Sequence, residues 1–421
     1  MTILLGAVAD DFTGATDLAN TLVKEGMRVC QVLGAPNAET DYGDAEAVVV
    51  ALKSRTAPVA EAVEQSLTAM RWLQAEDAKQ IISKYCSTFD STADGNIGPI
   101  ADAMLDAQGG GFAFVCPAFP ANKRTIYQGH LFVGPDLLSD SSMKDHPLTP
   151  MRDASLVRLM EAQSSKRCGL IPLETVREGA SAVQAAADQL AADGFSYGVV
   201  DALTDDDLRI IGYAAKDHAL ITGGSGVATG LPKNFRNEGL LGEPITAEQP
   251  SMTGRRLVMA GSCSTATRAQ IDVAKANWPT RMINVHALAE GDAEIGALID
   301  WAMAQGADQP ILLYSSADPA EVKEIQAQYG VTEAGEMVER AMGIIASSLH
   351  GAGFDRILVA GGETSGAVTT ALKPKTLRIA QEIATGVPWT EALGGAPLAL
   401  ALKSGNFGGP NFFAEAFEAL E

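Results

Sequence analysis

Residues 3–17 read ILLGAVADDFTGATD. The apolar run Ile3–Ala9 stops at two carboxylates, and a Thr-Gly pair then leads into a helical pattern over Ala15–Lys24. A run this short and this uniformly apolar predicts a strand buried on both faces, and the helix after it makes the pair the start of a βα series with a parallel sheet.

The rhythm recurs. Strands are expected at Ala47–Leu52, Gln80–Lys84, Gly111–Cys116, Arg167–Pro172, Tyr197–Asp201 and His218–Thr222, with helices over Val59–Gln74, after Asn96, over Ala180–Ala192 and over Asp205–Ala215. Gly, Pro and polar residues then dominate from Gly223 to Gly254, which reads as a loop running into a linker. A second series follows, with strands at Arg256–Ala260, Arg281–Val285, Pro310–Tyr314 and Arg356–Ala360 and helices at Thr265–Lys275 and Glu294–Ala304. The expected fold class is α/β: two α/β domains with largely parallel sheets and an interdomain active-site cleft. The domains are drawn at 1–231 and 255–421, with 232–254 as linker.

The composition narrows the function. With 421 residues, 47% hydrophobic and 20% charged, the chain can bury two sizeable cores. Lys plus Arg number 31 against 52 Asp plus Glu, a net charge of −21, so the overall field repels nucleic acid. Small anions stay eligible, because a few clustered cations and backbone N–H groups can make one positive pocket in an acidic protein. The first residues, MTILLGAVADD, carry no basic stretch of a signal peptide, and nowhere do about 18 uncharged apolar residues run together, so a cytoplasmic protein without a membrane partner is expected. Five scattered cysteines with no CxxC pair fit a reducing compartment and offer no zinc site. The oligomeric state stays open, a homo-oligomer included.

In open parallel sheets ligands gather beyond the carboxyl ends of strands. Asp10 and Asp11 occupy that position after the first strand: two adjacent carboxylates must be solvated, paired, or used on a proton or a metal, and one that merely caps the next helix explains the same residues. Arg55, Lys84 and Asp90 follow later strands among Ser and Thr hydroxyls, a set suited to a small polyhydroxylated anion, although a Ser/Thr-rich turn with surface charges would look similar. Lys123 and Arg124 sit in a proline-stiffened loop and read equally as anion contacts or as a solvated pair; nearby His130 reads first as structural. In the second half three small-residue loops, Gly261–Thr265, Gly361–Gly366 and Lys403–Gly409, could let backbone N–H groups approach phosphate oxygens. No Walker sequence and no HRD or DFG set is present, and Gly224-x-Gly226-x-x-x-Gly230 is not an intact dinucleotide fingerprint.

Taken together, ADDFTGATD, KYCSTFDST with GNIGP, CPAFPANKRT, GSCSTAT, GGETSGAV and KSGNFGG resemble the four-carbon acid sugar kinase family, its 3-oxo-tetronate branch most of all, from Leu4 to Gly409. The resemblance implies an N-terminal sugar-acid domain and a C-terminal ATP domain. It further implies transfer of the γ-phosphoryl group to the 4-hydroxyl of 3-oxo-tetronate, with Mg²⁺ as a further cofactor. Matched by motif, Asp11, Arg55, Lys84 and Asp90 fall on the sugar-acid side, with Asp11 or Asp90 acting on the hydroxyl and Asp10 and Lys123 beside them. Ser262, Gly361, Gly362, Glu363, Thr364 and Gly405 fall on the nucleotide side, with Ser264 next to Ser262. Arg55 is expected to grip the substrate carboxylate. D-Threonate and D-erythronate kinases are the nearest alternatives, and a non-catalytic sugar-acid sensor is the rival of another class.

Overall fold

The computed structural model describes residues 2–146, 149–316 and 319–421, and the chain divides into two units, Met1–Ala247 and Glu248–Glu421.

The first unit begins with β1 (Leu5–Ala9), α1 (Phe12–Lys24), β2 (Val29–Leu33), β3 (Ala47–Ala51), α2 (Val59–Ala75), β4 (Gln80–Lys84), α3 (Ile97–Ala107) and β5 (Ala113–Cys116). A small antiparallel sheet of β6 (Arg124–Tyr127), β7 (His130–Val133) and β8 (Asp136–Leu137) follows, then α4 (Leu156–Gln163). The unit closes with β9 (Cys168–Ile171), α5 (Leu173–Arg177), α6 (Ala180–Ala192), β10 (Tyr197–Val200), α7 (Asp205–Ala214), β11 (Leu220–Gly223) and α8 (Leu231–Asn237). Its main sheet runs β2-β3-β1-β4-β11-β5-β10-β9, parallel throughout. Every residue of β1 and β3 is buried, which is why both are apolar end to end rather than alternating. The chain passes from β3 on one side of β1 to β4 on the other, leaving a crevice beyond the carboxyl end of β1, as at other switch points in parallel sheets.

The second unit contains β12 (Arg255–Ala260), α9 (Thr265–Asn277), β13 (Thr280–Met282), α10 (Val285–Glu290), α11 (Ala293–Ala304), β14 (Ile311–Tyr314), α12 (Pro319–Tyr329) and α13 (Val331–Gly351). After them come β15 (Phe354–Ala360), α14 (Gly362–Leu372), β16 (Thr376–Ala384), β17 (Val387–Leu393), β18 (Ala399–Lys403) and α15 (Phe412–Glu418). Its strands run β13-β14-β12-β15-β18-β17-β16, parallel as far as β18 and antiparallel from there. Alternation along β12 builds two cores: Leu257 and Met259 pack with Ile345 and Leu349 of α13, while Val258 and Ala260 face Ile271 of α9, Trp389 and Phe413.

The βα reading of both halves therefore holds. The loop assigned to 223–254 is corrected at its start, where Ser225–Gly230 is 3₁₀-helical and α8 follows. Glycine makes this possible: a Cβ on Gly230 would stand 2.5 Å from the Arg209 carbonyl oxygen, so the segment packs flat against α7. The same residue type that reads as a linker in sequence serves close packing in three dimensions.

Candidate functional site

The loops after β3, β1 and β4 are adjacent in the first unit, and backbone bonds tie them together. The Asp10 amide donates to the Lys84 carbonyl (3.1 Å), and the Ser54 amide donates to the Asp10 carbonyl (3.1 Å). Asn96 Nδ2 donates to the carbonyls of Ser54 (2.7 Å) and Ala57 (2.9 Å), so the first residue before α3 pins the loop that carries Arg55.

Arg55 is the centre of the cluster. Its Nε and Nη2 donate to the two oxygens of Asp10 at 2.8 and 3.0 Å, Nη2 also lies 2.9 Å from Asp11 Oδ1, and Nη1 stands 3.9 Å from Asp90 Oδ2. Asp10 thus takes the bidentate face of the fork expected to grip a substrate carboxylate, and Nη1 is the nitrogen on the Asp90 side. Burial pushes the Asp10 carboxyl up from its ordinary range, opposed by the hydrogen bonds and charge of Arg55. For Arg55 burial works against the charge, yet Asp10 and Asp11 together hold its pKa above the ordinary value.

Asp11 caps α1, accepting from the Gly14 amide at 3.0 Å, and keeps 31% of its side chain exposed. Asp90 accepts from Thr88 Oγ1 at 2.5 Å, and Thr88 Oγ1 lies 2.9 Å from Cys86 Sγ. The buried Phe89 before it has φ +50°, a left-handed turn that sets the direction of Asp90. Lys84 is buried, and its Nζ donates to the Tyr85 carbonyl at 2.8 Å. A Cβ on Gly14 would meet Asp11 Oδ1 at 2.3 Å and Lys84 Nζ at 2.6 Å, so this glycine alone lets carboxylate and ammonium approach across the helix start. Asp17, one turn into α1, is half-buried and accepts from Ser225 Oγ at 2.6 Å. Burial raises its pKa, against the hydrogen bond from Ser225 and the charge of Lys84. A cavity of about 20 Å³ lies behind Asp10, Arg55, Lys84 and Asp90. That is room for a water rather than a four-carbon acid, so a ligand of that size meets the rim.

Lys123 lies apart. It is exposed at φ +58° where β6 begins, and among the described residues no side-chain bond or ion pair joins it to the Arg55 cluster. His130 Nδ1 pairs with the Gln128 carbonyl at 2.7 Å, a local turn contact.

In the second unit β12, β15 and β18 are neighbours, so their three terminal loops meet. Ser264 caps α9 and its Oγ donates to the Gly405 carbonyl at 2.5 Å; Thr267 Oγ1 donates to the same oxygen at 2.9 Å. Ser262 Oγ accepts from the Ser264 amide at 3.2 Å. A Cβ on Gly405 would strike Ser262 Oγ at 2.3 Å, and one on Gly261 would strike Thr364 Oγ1 at 2.0 Å. Gly361 has φ +132°, open to glycine and few others, and begins α14 with Glu363 and Thr364 in the first turn. A Cβ on Gly362 would meet nothing within 4 Å, so the N-terminus of this eleven-residue helix is open to an anion. All seven nucleotide-side residues expected from sequence therefore lie on these three converging loops. Missed were Asn96, Thr267 and Gln270, whose Nε2 binds the carbonyls of Phe407, Gly408 and Gly409 at 3.0 to 3.1 Å. Lys403, named in sequence only as the start of a small-residue loop, ends a strand as Lys84 does.

Among the described residues no group of three or more His, Cys, Asp or Glu is placed to hold a metal ion, and no helix is long and apolar enough to cross a membrane. Replacing Gly14 with Ala should force Asp11 and Lys84 apart and lower the thermal stability of the chain, read as a drop in Tm.

Two family profiles match the chain: a sugar-binding N-terminal domain over residues 5–231 and a nucleotide-binding C-terminal domain over 257–413. A 3-oxo-tetronate kinase of Burkholderia multivorans is 52% identical over 419 residues, 99% of this chain and 97% of that one. A 3-oxo-tetronate kinase of Salmonella typhimurium is 44% identical, covering 98% of each. A solved protein of Salmonella typhimurium LT2 superposes with TM-score 0.92 at 44% identity over 98% of both chains, and one of Haemophilus influenzae with 0.89 at 40% over 99% of this chain and 100% of that. With both profiles filled and identity this high end to end, the chain belongs to the four-carbon acid sugar kinase family.

Proposed function

We infer that this protein is an ATP-dependent kinase that phosphorylates the 4-hydroxyl of 3-oxo-tetronate, releasing ADP. Full-length identity of about one half to 3-oxo-tetronate kinases carries the reading. Two polar clusters support it, one of carboxylates around Arg55 beside Lys84 and one built of glycine and hydroxyl loops. Residues 1–231 serve the sugar acid, 255–421 serve ATP, and 232–254 connect them.

Phosphoryl transfer asks the protein mainly for in-line positioning and charge neutralisation. Lys84 Nζ and the outward Nη1 of Arg55 hold the acid's carboxylate. The 4-oxygen attacks the γ-phosphorus, the bond to the β,γ-bridging oxygen breaks, ADP leaves, and the hydroxyl proton passes to a carboxylate. Asp11 is the acceptor we favour, because it is the most exposed of the three around Arg55; Asp90, held by Thr88, orients the hydroxyl. Ser262, Ser264, the Gly361–Thr364 turn and Gly405 take the phosphates. Mg²⁺ bound with ATP would neutralise part of the charge on the phosphate oxygens, and the exposed Glu363 at the start of α14 would be the carboxylate placed to hold it.

The deciding assay is ADP release with Mg-ATP and 3-oxo-tetronate, D-threonate, L-threonate or D-erythronate. A clear preference in kcat/KM for the oxo acid is expected. Preference for a hydroxy acid would move the substrate while keeping the chemistry, and binding without turnover for every acid would favour the sensor. Asparagine caps helices as well as aspartate, so Asp11→Asn should fold normally and lose about 10²–10⁴ in kcat; near wild-type turnover would remove Asp11 from the role. Gly362→Val fills open space at the start of α14 and should raise KM for ATP by about tenfold, leaving affinity for the acid unchanged.

A further inference from the structure

Lys84 and Lys403 occupy equivalent places in the two units. Each ends a parallel strand in register with the last residue of its neighbour, Ala9 for Lys84 and Ala360 for Lys403. Each buries its ammonium and donates to the carbonyl of the following residue, Tyr85 at 2.8 Å and Ser404 at 3.0 Å. The function proposed above uses Lys84 and leaves Lys403 without a task.

Lys403 is 1% exposed, and its Nζ reaches Thr267 Oγ1 (3.1 Å), the Ser404 carbonyl (3.0 Å) and the Gly405 carbonyl (2.9 Å). An ammonium has three donors, so these contacts use it up, and none of the acceptors is a carboxylate. The elements packed nearby bring no compensating charge. Among the described residues Arg268 and Asp272 of α9, Glu363 of α14 and Glu391 of β17 make no ion pair with it, and Asp355 and Arg356 lie at the other end of β15. Burial pulls its pKa down to about 8. An apolar side chain of the same length would fill this place without the cost of desolvating a cation. A buried charge placed under three loops and matched by no anion of the protein calls for an anion from outside.

We propose that Lys403 is a positioning residue of the nucleotide site, fixing the Ser404–Gly405 turn against Ser264 and Thr267 and holding a positive charge beneath the phosphates, so that affinity depends on the nucleotide's negative charge. The proposal rests on the reading of the second unit as the ATP side.

Binding of free ADP and of adenosine is compared by calorimetry for the wild-type chain and Lys403→Met. The variant should lose about tenfold or more in affinity for ADP and less than about threefold for uncharged adenosine. Equal losses for both ligands would show a merely structural lysine, and no loss for ADP would make it dispensable; either outcome overturns the proposal. Failure of the wild-type chain to bind ADP at all would instead overturn the nucleotide reading beneath it. Should the variant not fold or adenosine not register, the wild-type pH profile decides. ADP phosphates are fully ionised above neutrality, so ADP affinity should fall between pH 7 and 9.5 as Lys403 loses its proton, and a flat profile would overturn the proposal.

Discussion

One guanidinium holds the first site together. Arg55 stands among Asp10, Asp11 and Asp90, which come from two different strand ends, and without it three carboxylates would crowd a half-buried crevice. Such crowding drives protons onto carboxylates, and the upward push on Asp10 shows burial already working in that direction. Arg55 opposes that push on Asp10 and holds the carboxylates in place, and Asn96 holds the loop of Arg55 through its backbone. What the bidentate contact with Asp10 leaves over is Nη1 of Arg55, 3.9 Å from Asp90 Oδ2.

The second unit solves the complementary problem with backbone and hydroxyls. Its loops approach so closely that side chains on Gly261 or Gly405 would collide with Thr364 or Ser262. Three donors converge on the Gly405 carbonyl, which ties that loop to the start of α9 beside the open N-terminus of α14. In a chain with net charge −21 the second unit thus sets amide dipoles over a buried lysine, whereas in the first the charges of Arg55 and Lys84 are set against carboxylates.

How much of this was legible in sequence depended on range. Apolar runs marked β1 and β3 closely, because both are buried along their whole length and apolar throughout. β2, the β6–β8 hairpin sheet and the β16–β18 edge were missed. Much of β6–β8 and β16 is only half-buried, and β2 is one short run following the α1 turn, so hydropathy alone sets them little apart from loops. The 225–237 segment was read as loop because glycine signals a turn locally, whereas here it signals contact between Gly230 and Gly212 across 18 residues of chain.

By itself the sequence determined the βα order, the two-part organisation and which loops are candidates for the chemistry, since strand period, glycine turns and contiguous motifs are local properties of the chain. Which carboxylate pairs with Arg55, that Lys123 stands apart from it, and that Lys403 is buried under the loop it begins were decided only by the tertiary structure. The physical reason is that pairing and desolvation depend on distances between strand ends far apart in sequence, and those distances exist only after the sheets have formed.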